Sequence, residues 1–376
     1  MHEGPVVVFA GGGTGGHLYP ALAIADALRR RRPDVRVVFM GATRGIESRV
    51  LPELGEEHFL LPVRGLDRGQ RGAFWRAVPA LAGSLLQAAR VMRRLRPRAV
   101  VVTGGYACAP AGAVAALTGV PLLIQEQNAA PGIVTRALSR WAKKIHTAFS
   151  GVADRLPRGV RNKVCLTGNP VRATSVHGRS QVREWFQLPE EAVVALIVGG
   201  SQGSEALNNL LLAALDAVVA RRVNRPDHLH ILWSTGPRHH QRVNGALADL
   251  GSPDWVHSHP YFDNMPDALA AADLTVSRAG AMFTAELLNQ GLPAILVPFP
   301  NAAADHQTHN ARALAEAGAA LLTPQAGLTG EILWAELNRL AGDPKSLERM
   351  GMAATSLARP RAADQIAASV ERLLAS

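Results

Sequence analysis

The stretch Val6-Val7-Val8-Phe9-Ala10-Gly11-Gly12-Gly13-Thr14-Gly15-Gly16-His17 runs from an apolar strand candidate into a glycine turn, and Pro20–Arg31 continues it with a helical pattern. Glycines let the backbone turn sharply and approach a ligand closely. The helix that follows presents unpaired amide hydrogens and a positive dipole end to an anion. Gly11, Gly13 and Gly16 also spell G-x-G-x-x-G, whose simplest reading is a dinucleotide turn.

Outward from this turn, short β-rich runs alternate with helical patterns, as in parallel sheets with crossover helices. Strands are predicted at Val6–Ala10, Val35–Met40, His58–Pro62, Ala99–Thr103, Leu122–Gln125, Lys144–Ala148 and Val164–Thr167, with helices that include Pro20–Arg31 and Phe74–Arg94. Near-continuous apolar strands fit a sheet covered on both faces. Turn formers at Gly168-Asn169-Pro170 then end the first half. The pattern restarts at Val193–Val198, followed by Gly199-Gly200-Ser201-Gln202-Gly203 and a helix from Glu205 to Arg221. Strands follow at His230–Ser234, Trp255–His257, Leu274–Ser277, Ala294–Val297 and Ala320–Leu322, with helices at Met282–Asn289 and His306–Ala317. The expected class is α/β, with a first domain over residues 1–168, a second over 169–361 and a terminal helix over 362–376. Two glycine turns in two restarting halves say more than one, because a cleft between two such domains is a natural ligand site.

The 376 residues suit two domains, and 48% hydrophobic residues supply each with a core. A net charge of +10 favours anionic partners: nucleic acid, phosphorylated ligands or acidic lipid headgroups. No zinc motif, helix-turn-helix signal or aromatic-basic RNA signature accompanies it, so no nucleic-acid partner is expected. Cys108 and Cys165 lack metal or disulfide spacing and read as buried thiols. No secretory signal is visible, and the apolar-rich run Ala73–Met92 is broken by Arg76, Pro79, Gln87 and Arg90, so it does not read as a membrane span.

The dinucleotide reading has a gap. A nicotinamide site wants an acidic residue at the end of the second strand, but Met40-Gly41-Ala42-Thr43-Arg44 has no carboxylate before Glu47. Arg44 suits a 2′-phosphate, which keeps an NADP-dependent oxidoreductase as an alternative. The second half holds the denser constellation. Ser277-Arg278-Ala279-Gly280-Ala281 turns from strand to helix with small residues, and Glu286 on that helix suits two ribose hydroxyls. Asp305, Gln307 and Asn310 form a polar cluster suited to sugar hydroxyls; taken singly, Asp305 reads as a helix cap and the other two as solvated helix polars. Together with two glycine turns they point to a nucleotide-sugar site.

Five segments in order carry a family resemblance: Gly12-Gly13-Thr14-Gly15-Gly16-His17, Gln125-Glu126-Gln127-Asn128-Ala129-Ala130-Pro131-Gly132, Gly168-Asn169-Pro170-Val171-Arg172, Gly199-Gly200-Ser201-Gln202-Gly203 and Arg278-Ala279-Gly280-Ala281. They resemble the MurG family, the peptidoglycan UDP-N-acetylglucosamine transferases. The resemblance implies a GT-B fold, two Rossmann-like domains with parallel sheets facing a central cleft, and a final helix that returns to the first domain. It implies inverting transfer of N-acetylglucosamine from UDP-GlcNAc to the muramoyl 4-hydroxyl of lipid I, giving lipid II, with no cofactor and no essential metal. Another GT-B enzyme with a different acceptor is the nearer alternative. By match to the family motifs, donor-site contacts are Thr14, Gly15, Gly16, Asn128, Arg172 and Ser201. Phe262, Ala281, Met282, Glu286 and Gln307 complete that set. Phe262 lies in Tyr261-Phe262-Asp263-Asn264-Met265, which resembles the uracil-flanking segment.

In such a transfer a base takes the acceptor proton and the leaving diphosphate is stabilised. Arg172, Ser201 and the helix start at Ala281 are the expected stabilisers, and no Asp-x-Asp metal pair occurs. His17, at the tip of the first turn, is the candidate base, since imidazole titrates near working pH; capping its helix or binding the acceptor diphosphate are its other readings. Gly13, Tyr106 and Asn128 are acceptor-side candidates. A lipid-linked acceptor calls for a membrane surface. Within the Phe74–Arg98 segment, Phe74, Trp75, Val78, Leu81, Leu85, Leu86 and Val91 sit among arginines that include Arg76, Arg90, Arg93 and Arg94. That pattern suits either peripheral contact with anionic lipid at the cytoplasmic face of the cell membrane or a core helix with a solvated basic end. Cell-wall synthesis proteins are expected partners.

Overall fold

The computed structural model describes residues 4–63, 73–171 and 175–375, with the side chains of residues 73–81 outside that description. The chain forms two compact units, Met1–Val171 with Arg359–Ser376, and Arg172–Ala358.

The first unit alternates β1 (Val6–Ala10), α1 (Gly15–Arg31), β2 (Arg36–Ala42), α2 (Glu47–Glu53), β3 (His58–Leu61), α3 (Ala73–Leu95), β4 (Ala99–Val102), α4 (Ala109–Thr118), β5 (Leu122–Glu126), α5 (Ile133–Leu138), β6 (Ala142–Thr147) and β7 (Val164–Leu166). Its seven strands are parallel in the order β3-β2-β1-β4-β5-β6-β7. Strand side chains alternate between faces. On one face Val7, Phe9, Val37, Phe39 and Val101 pack under α1. On the other, Val8, Ala10, Val38, Met40 and Val100 pack with Ala88 and Met92 of α3 and Ala111 of α4. The apolar runs of β1 and β2 are therefore what a doubly covered parallel sheet needs.

The second unit contains α6 (Arg179–Trp185), β8 (Val193–Val198), α7 (Glu205–Val219), β9 (Leu229–Ser234), α8 (His240–Asp249), β10 (Val256–His259), α9 (Met265–Ala271), β11 (Leu274–Ser277), α10 (Ala281–Gln290), β12 (Ala294–Leu296), α11 (His306–Glu316), β13 (Ala320–Leu322), α12 (Gly330–Ala341) and α13 (Pro344–Leu357). Its six strands are parallel in the order β10-β9-β8-β11-β12-β13. The chain then forms α14 (Ala362–Ala375), which lies against α1 in the first unit. Ile366, Ala367 and Val370 of α14 join the α1 side of that core, where burial of each larger side chain contributes about 1.5–3 kcal/mol. Arg31 bonds Glu371 at 2.6 Å along the same seam.

Two expectations change. Cys108 is buried, with its thiol pushed up to about 12 chiefly by burial, but Cys165 is only half-buried because it lies on the edge strand β7. Within α3, Leu85 and Val91 pack against the core, whereas Leu86 is 61% exposed. The rest of the apolar stripe, Phe74, Trp75, Val78 and Leu81, has side chains outside the described residues. Among the described residues no helix is long and apolar enough to cross a membrane.

Candidate nucleotide-sugar site

In an open parallel sheet, ligands bind beyond the carboxyl ends of the strands where the strand order reverses. In the first unit that point lies between β1 and β4. The β1 turn, Gly11–Thr14, and the β4 turn, Thr103–Gly105, flank it. Small residues let the two turns meet. A Cβ at Gly105, which has φ +76°, would lie 2.2 Å from the Gly12 carbonyl oxygen and 3.1 Å from His17 Nδ1. A Cβ at Gly104 would lie 2.8 Å from His17 Cδ2, so only glycine leaves room for the imidazole. Thr103 Oγ1 donates to the His17 carbonyl at 2.7 Å, and Thr14 Oγ1 lies 3.0 Å from His17 Nδ1. The Tyr106 ring sits against Gly13, where a Cβ would approach its Cε1 to 2.8 Å. Burial, and then the charge of Glu47, raise the Tyr106 pKa.

Two further motif segments join this end of the sheet. Gln127 Nε2 donates to the Thr103 carbonyl and to Gln125 Oε1, each at 2.5 Å. Gln125 Nε2 donates to Asn169 Oδ1 at 2.9 Å, and Asn169 Nδ2 donates to the Gln127 carbonyl at 3.1 Å. Glu126, 3% exposed, accepts from the amides of Asn128 and Gly132 and from Thr135 Oγ1 at 2.6 Å. These buried amides and this carboxylate shape the Asn128 loop. The first unit thus brings together Gly13, Thr14, Gly15, Gly16, His17, Tyr106 and Asn128.

Glu47 carries no site signal in the sequence, yet it organises the first turn. It is fully buried at the start of α2. Its carboxylate accepts from the Ala42 amide at 2.7 Å and from the Gly13 amide at 2.9 and 3.1 Å. Cβ atoms at Gly12 and Gly45 would each lie 2.2 Å from a Glu47 oxygen, so the surrounding glycines make its space. The acid that a nicotinamide ribose would need at the end of the second strand is spent inside the protein. Arg44 beside it is exposed. The dinucleotide reading loses its support there.

In the second unit the order reverses between β8 and β11. The turn Gly199–Ser204 leads into α7, and the turn Arg278–Gly280 leads into α10. Gly203 has φ +76°, and a Cβ there would meet the Thr235 carbonyl oxygen at 2.3 Å. Ser201 is exposed on this turn; Ser204 caps α7 by accepting from the Leu207 amide. Ala281 and Met282 occupy the first turn of α10, and Glu286 its second. Gln307 Oε1 accepts from the Phe299 amide at 2.9 Å, which leaves its Nε2 as a donor. Asp305 stands at the cap position of α11, but with φ +53° its side chain makes no cap bond, contrary to the simple reading. Asn310 is not solvated: it is fully buried and donates to the Ala279 carbonyl at 3.1 Å, holding the β11 turn. The Phe262 ring is 4% exposed, packed edge-on against Phe186 at 5.5 Å and beside His259 at 5.0 Å. Arg172 lies outside the described residues.

Two all-parallel α/β units, each with a glycine turn at its reversal point, are the architecture of the GT-B class. The calicheamicin glycosyltransferase CalG4 shares that fold, with a TM-score of 0.68 at 17% identity over 99% of both chains. The glycosyltransferase family 28 N-terminal domain matches residues 7–147, and the family 28 C-terminal domain matches residues 194–366. The UDP-N-acetylglucosamine--N-acetylmuramyl-(pentapeptide) pyrophosphoryl-undecaprenol N-acetylglucosamine transferase of Desulforudis audaxviator is 40% identical over 372 residues, 98% of each chain. The enzyme of the same name from Moorella thermoacetica is 40% identical over 368 residues, 96% of each chain. The crystal structure of Acinetobacter baumannii MurG superposes with a TM-score of 0.77 at 30% identity, covering 98% of this chain and 99% of that one. The chain belongs to the MurG family of glycosyltransferases.

Proposed function

We propose that this chain transfers N-acetylglucosamine from UDP-GlcNAc to the 4-hydroxyl of the muramoyl sugar of lipid I, forming lipid II in peptidoglycan synthesis. The observation that carries the reading is 40% identity across 98% of the chain to enzymes named for that transfer. The glycine turns after β1 and after β8 lie at the strand-order reversal of their units, which supports the reading.

In this reading His17, whose Nδ1 lies 3.0 Å from Thr14 Oγ1, takes the acceptor proton. The acceptor oxygen bonds to the anomeric carbon as the carbon–oxygen bond to UDP breaks, and the electron pair leaves on the β-phosphate. Gly13, Tyr106 and Asn128 flank the acceptor. Ser201, Arg172 and the amides at the starts of α7 and α10 stabilise the developing diphosphate charge. Glu286 takes the ribose hydroxyls and Gln307 the sugar. The Phe262 segment lines the uracil through its backbone, since its ring is packed inside. The protein works at the cytoplasmic face of the cell membrane, peripherally, with the Phe74–Arg98 segment meeting anionic lipid and cell-wall synthesis proteins nearby; the net charge of +10 supports this.

Calorimetry with UDP-GlcNAc, UDP-glucose and NADPH tests the reading, followed by transfer to a lipid I analogue. UDP-GlcNAc should bind at least about tenfold tighter than UDP-glucose, NADPH should give no heat, and transfer should follow. Binding of NADPH without binding of UDP-GlcNAc overturns the class of reaction. UDP-GlcNAc binding without transfer to the analogue overturns the acceptor. Co-sedimentation with liposomes that ignores anionic lipid and salt overturns the membrane contact.

A further inference from the structure

Among the described residues the second unit buries two arginines and treats them differently. Arg183, 1% exposed, is paired with Asp273 at 2.8 Å. Among the described residues the hydrogen-bond partners of Arg278, 7% exposed, are all neutral. Its Nη1 donates to the carbonyls of Val297 and Pro298, both at 3.1 Å. Its Nη2 donates to Ser204 Oγ at 2.8 Å and to Gln325 Oε1 at 2.7 Å. The Phe299 ring lies 5.6 Å from its Cζ. Among the described residues no carboxylate pairs with it, and burial pulls its pKa below the ordinary arginine value.

A buried guanidinium without a counter-charge is unfavourable even when its hydrogens are bonded. The placement adds to that cost. Ser204 is the N-cap of α7, and α10 begins three residues after Arg278, so two positive helix ends border the same cation. An anion seated on the Gly199–Ser204 turn offsets all three. We propose that Arg278 is a positioning residue that supplies the fixed positive charge behind the diphosphate of the nucleotide sugar, acting through its field and through Ser204 rather than by touching the ligand. This rests on the UDP-sugar reading above and names the group that reads the ligand's charge.

The test compares UDP with uridine, which shares the base and ribose but carries no phosphate, by calorimetry on the full chain. Arg278→Met should weaken UDP about tenfold to a hundredfold, equivalent to about 1.4–2.8 kcal/mol, and uridine less than about threefold. Parallel losses for both ligands overturn the proposal, because they mark a purely structural tie. If the Met variant does not fold, Gln325→Glu decides. It places a carboxylate at the 2.7 Å contact and neutralises the cation without emptying its site. It should keep or raise the melting temperature and lower the UDP-to-uridine preference about tenfold; an unchanged preference overturns the proposal. A wild-type chain that does not bind UDP would instead remove the UDP-sugar reading itself.

Discussion

The two glycine turns share a topology and differ in what is buried behind them. After β1, the Gly13 amide is already bonded to the Glu47 carboxylate. After β8, the Ser204 cap is bonded to the Arg278 guanidinium. A strand, a glycine turn and a helix start are equally hospitable to a phosphate on geometric grounds. The charge behind the turn decides otherwise. A carboxylate withdraws one amide from ligand binding and repels an anion, while a cation without a counter-charge attracts one. The turn after β8 therefore suits the diphosphate of the donor. In the proposed reading the turn after β1 serves the acceptor hydroxyl, with His17 held by Thr14 and wedged against Gly104 and Gly105, beside the donor contacts expected of Thr14, Gly15 and Gly16.

The largest effect that sharpens this contrast is at His17. His17→Ala should lower turnover by at least about a hundredfold, within the usual range for losing a positioned base, while UDP affinity measured by calorimetry changes less than about twofold. Near-normal turnover would leave His17 as a helix-end residue, and a parallel loss of UDP binding would place the donor on the wrong turn.

Next comes Glu47. Replacing it with Ala leaves a cavity and strips the amides of Gly13 and Ala42 of their acceptor, a loss of about 3–4 kcal/mol in thermal unfolding. Glu47→Gln keeps one acceptor oxygen and should cost roughly half as much. In both variants the KM for the lipid-linked acceptor should rise more than the KM for UDP-GlcNAc. A Glu47→Gln enzyme with a selectively raised donor KM would erase the division of labour between the turns.

The strands and the turns were legible because their signals are local. Val6–Ala10, Val193–Val198, Leu274–Ser277 and Ala320–Leu322 are read from the sequence at their observed ends, and the other strands differ only at their boundaries. The glycine turns were legible because a sharp reversal after an apolar strand needs glycine. The charges behind the turns were not visible, because each pairing joins distant positions. Glu47 meets Gly13 across 34 residues, and Arg278 meets Ser204 across 74 and Gln325 across 47. Asn310 read as solvated for the same reason: its partner, the Ala279 carbonyl, lies 31 residues back. Periodicity reports which face of an element is buried and does not report which polar group waits there.

The smallest effect separates the units by pH. His146, on β6, is 2% exposed, and among the described residues neither ring nitrogen has a hydrogen-bond partner. Burial, and then the charges of Lys144 and Arg372, lower its pKa from the ordinary 6.5 to about 4. The folded state keeps this imidazole neutral, so the unfolded chain takes up the proton first as pH falls. Its stabilising contribution is complete above about pH 6.5 and is lost progressively down to about pH 4, reaching roughly 2 kcal/mol at pH 5 by linkage. In the second unit His230, His257 and His259 shift in the same direction but are only half-buried, so solvent screens them. His146→Gln should therefore remove about 2 kcal/mol of the stability difference between pH 7 and pH 5, read from denaturant melts at each pH. An equal pH dependence in wild type and variant would show that the first unit's acid sensitivity lies elsewhere.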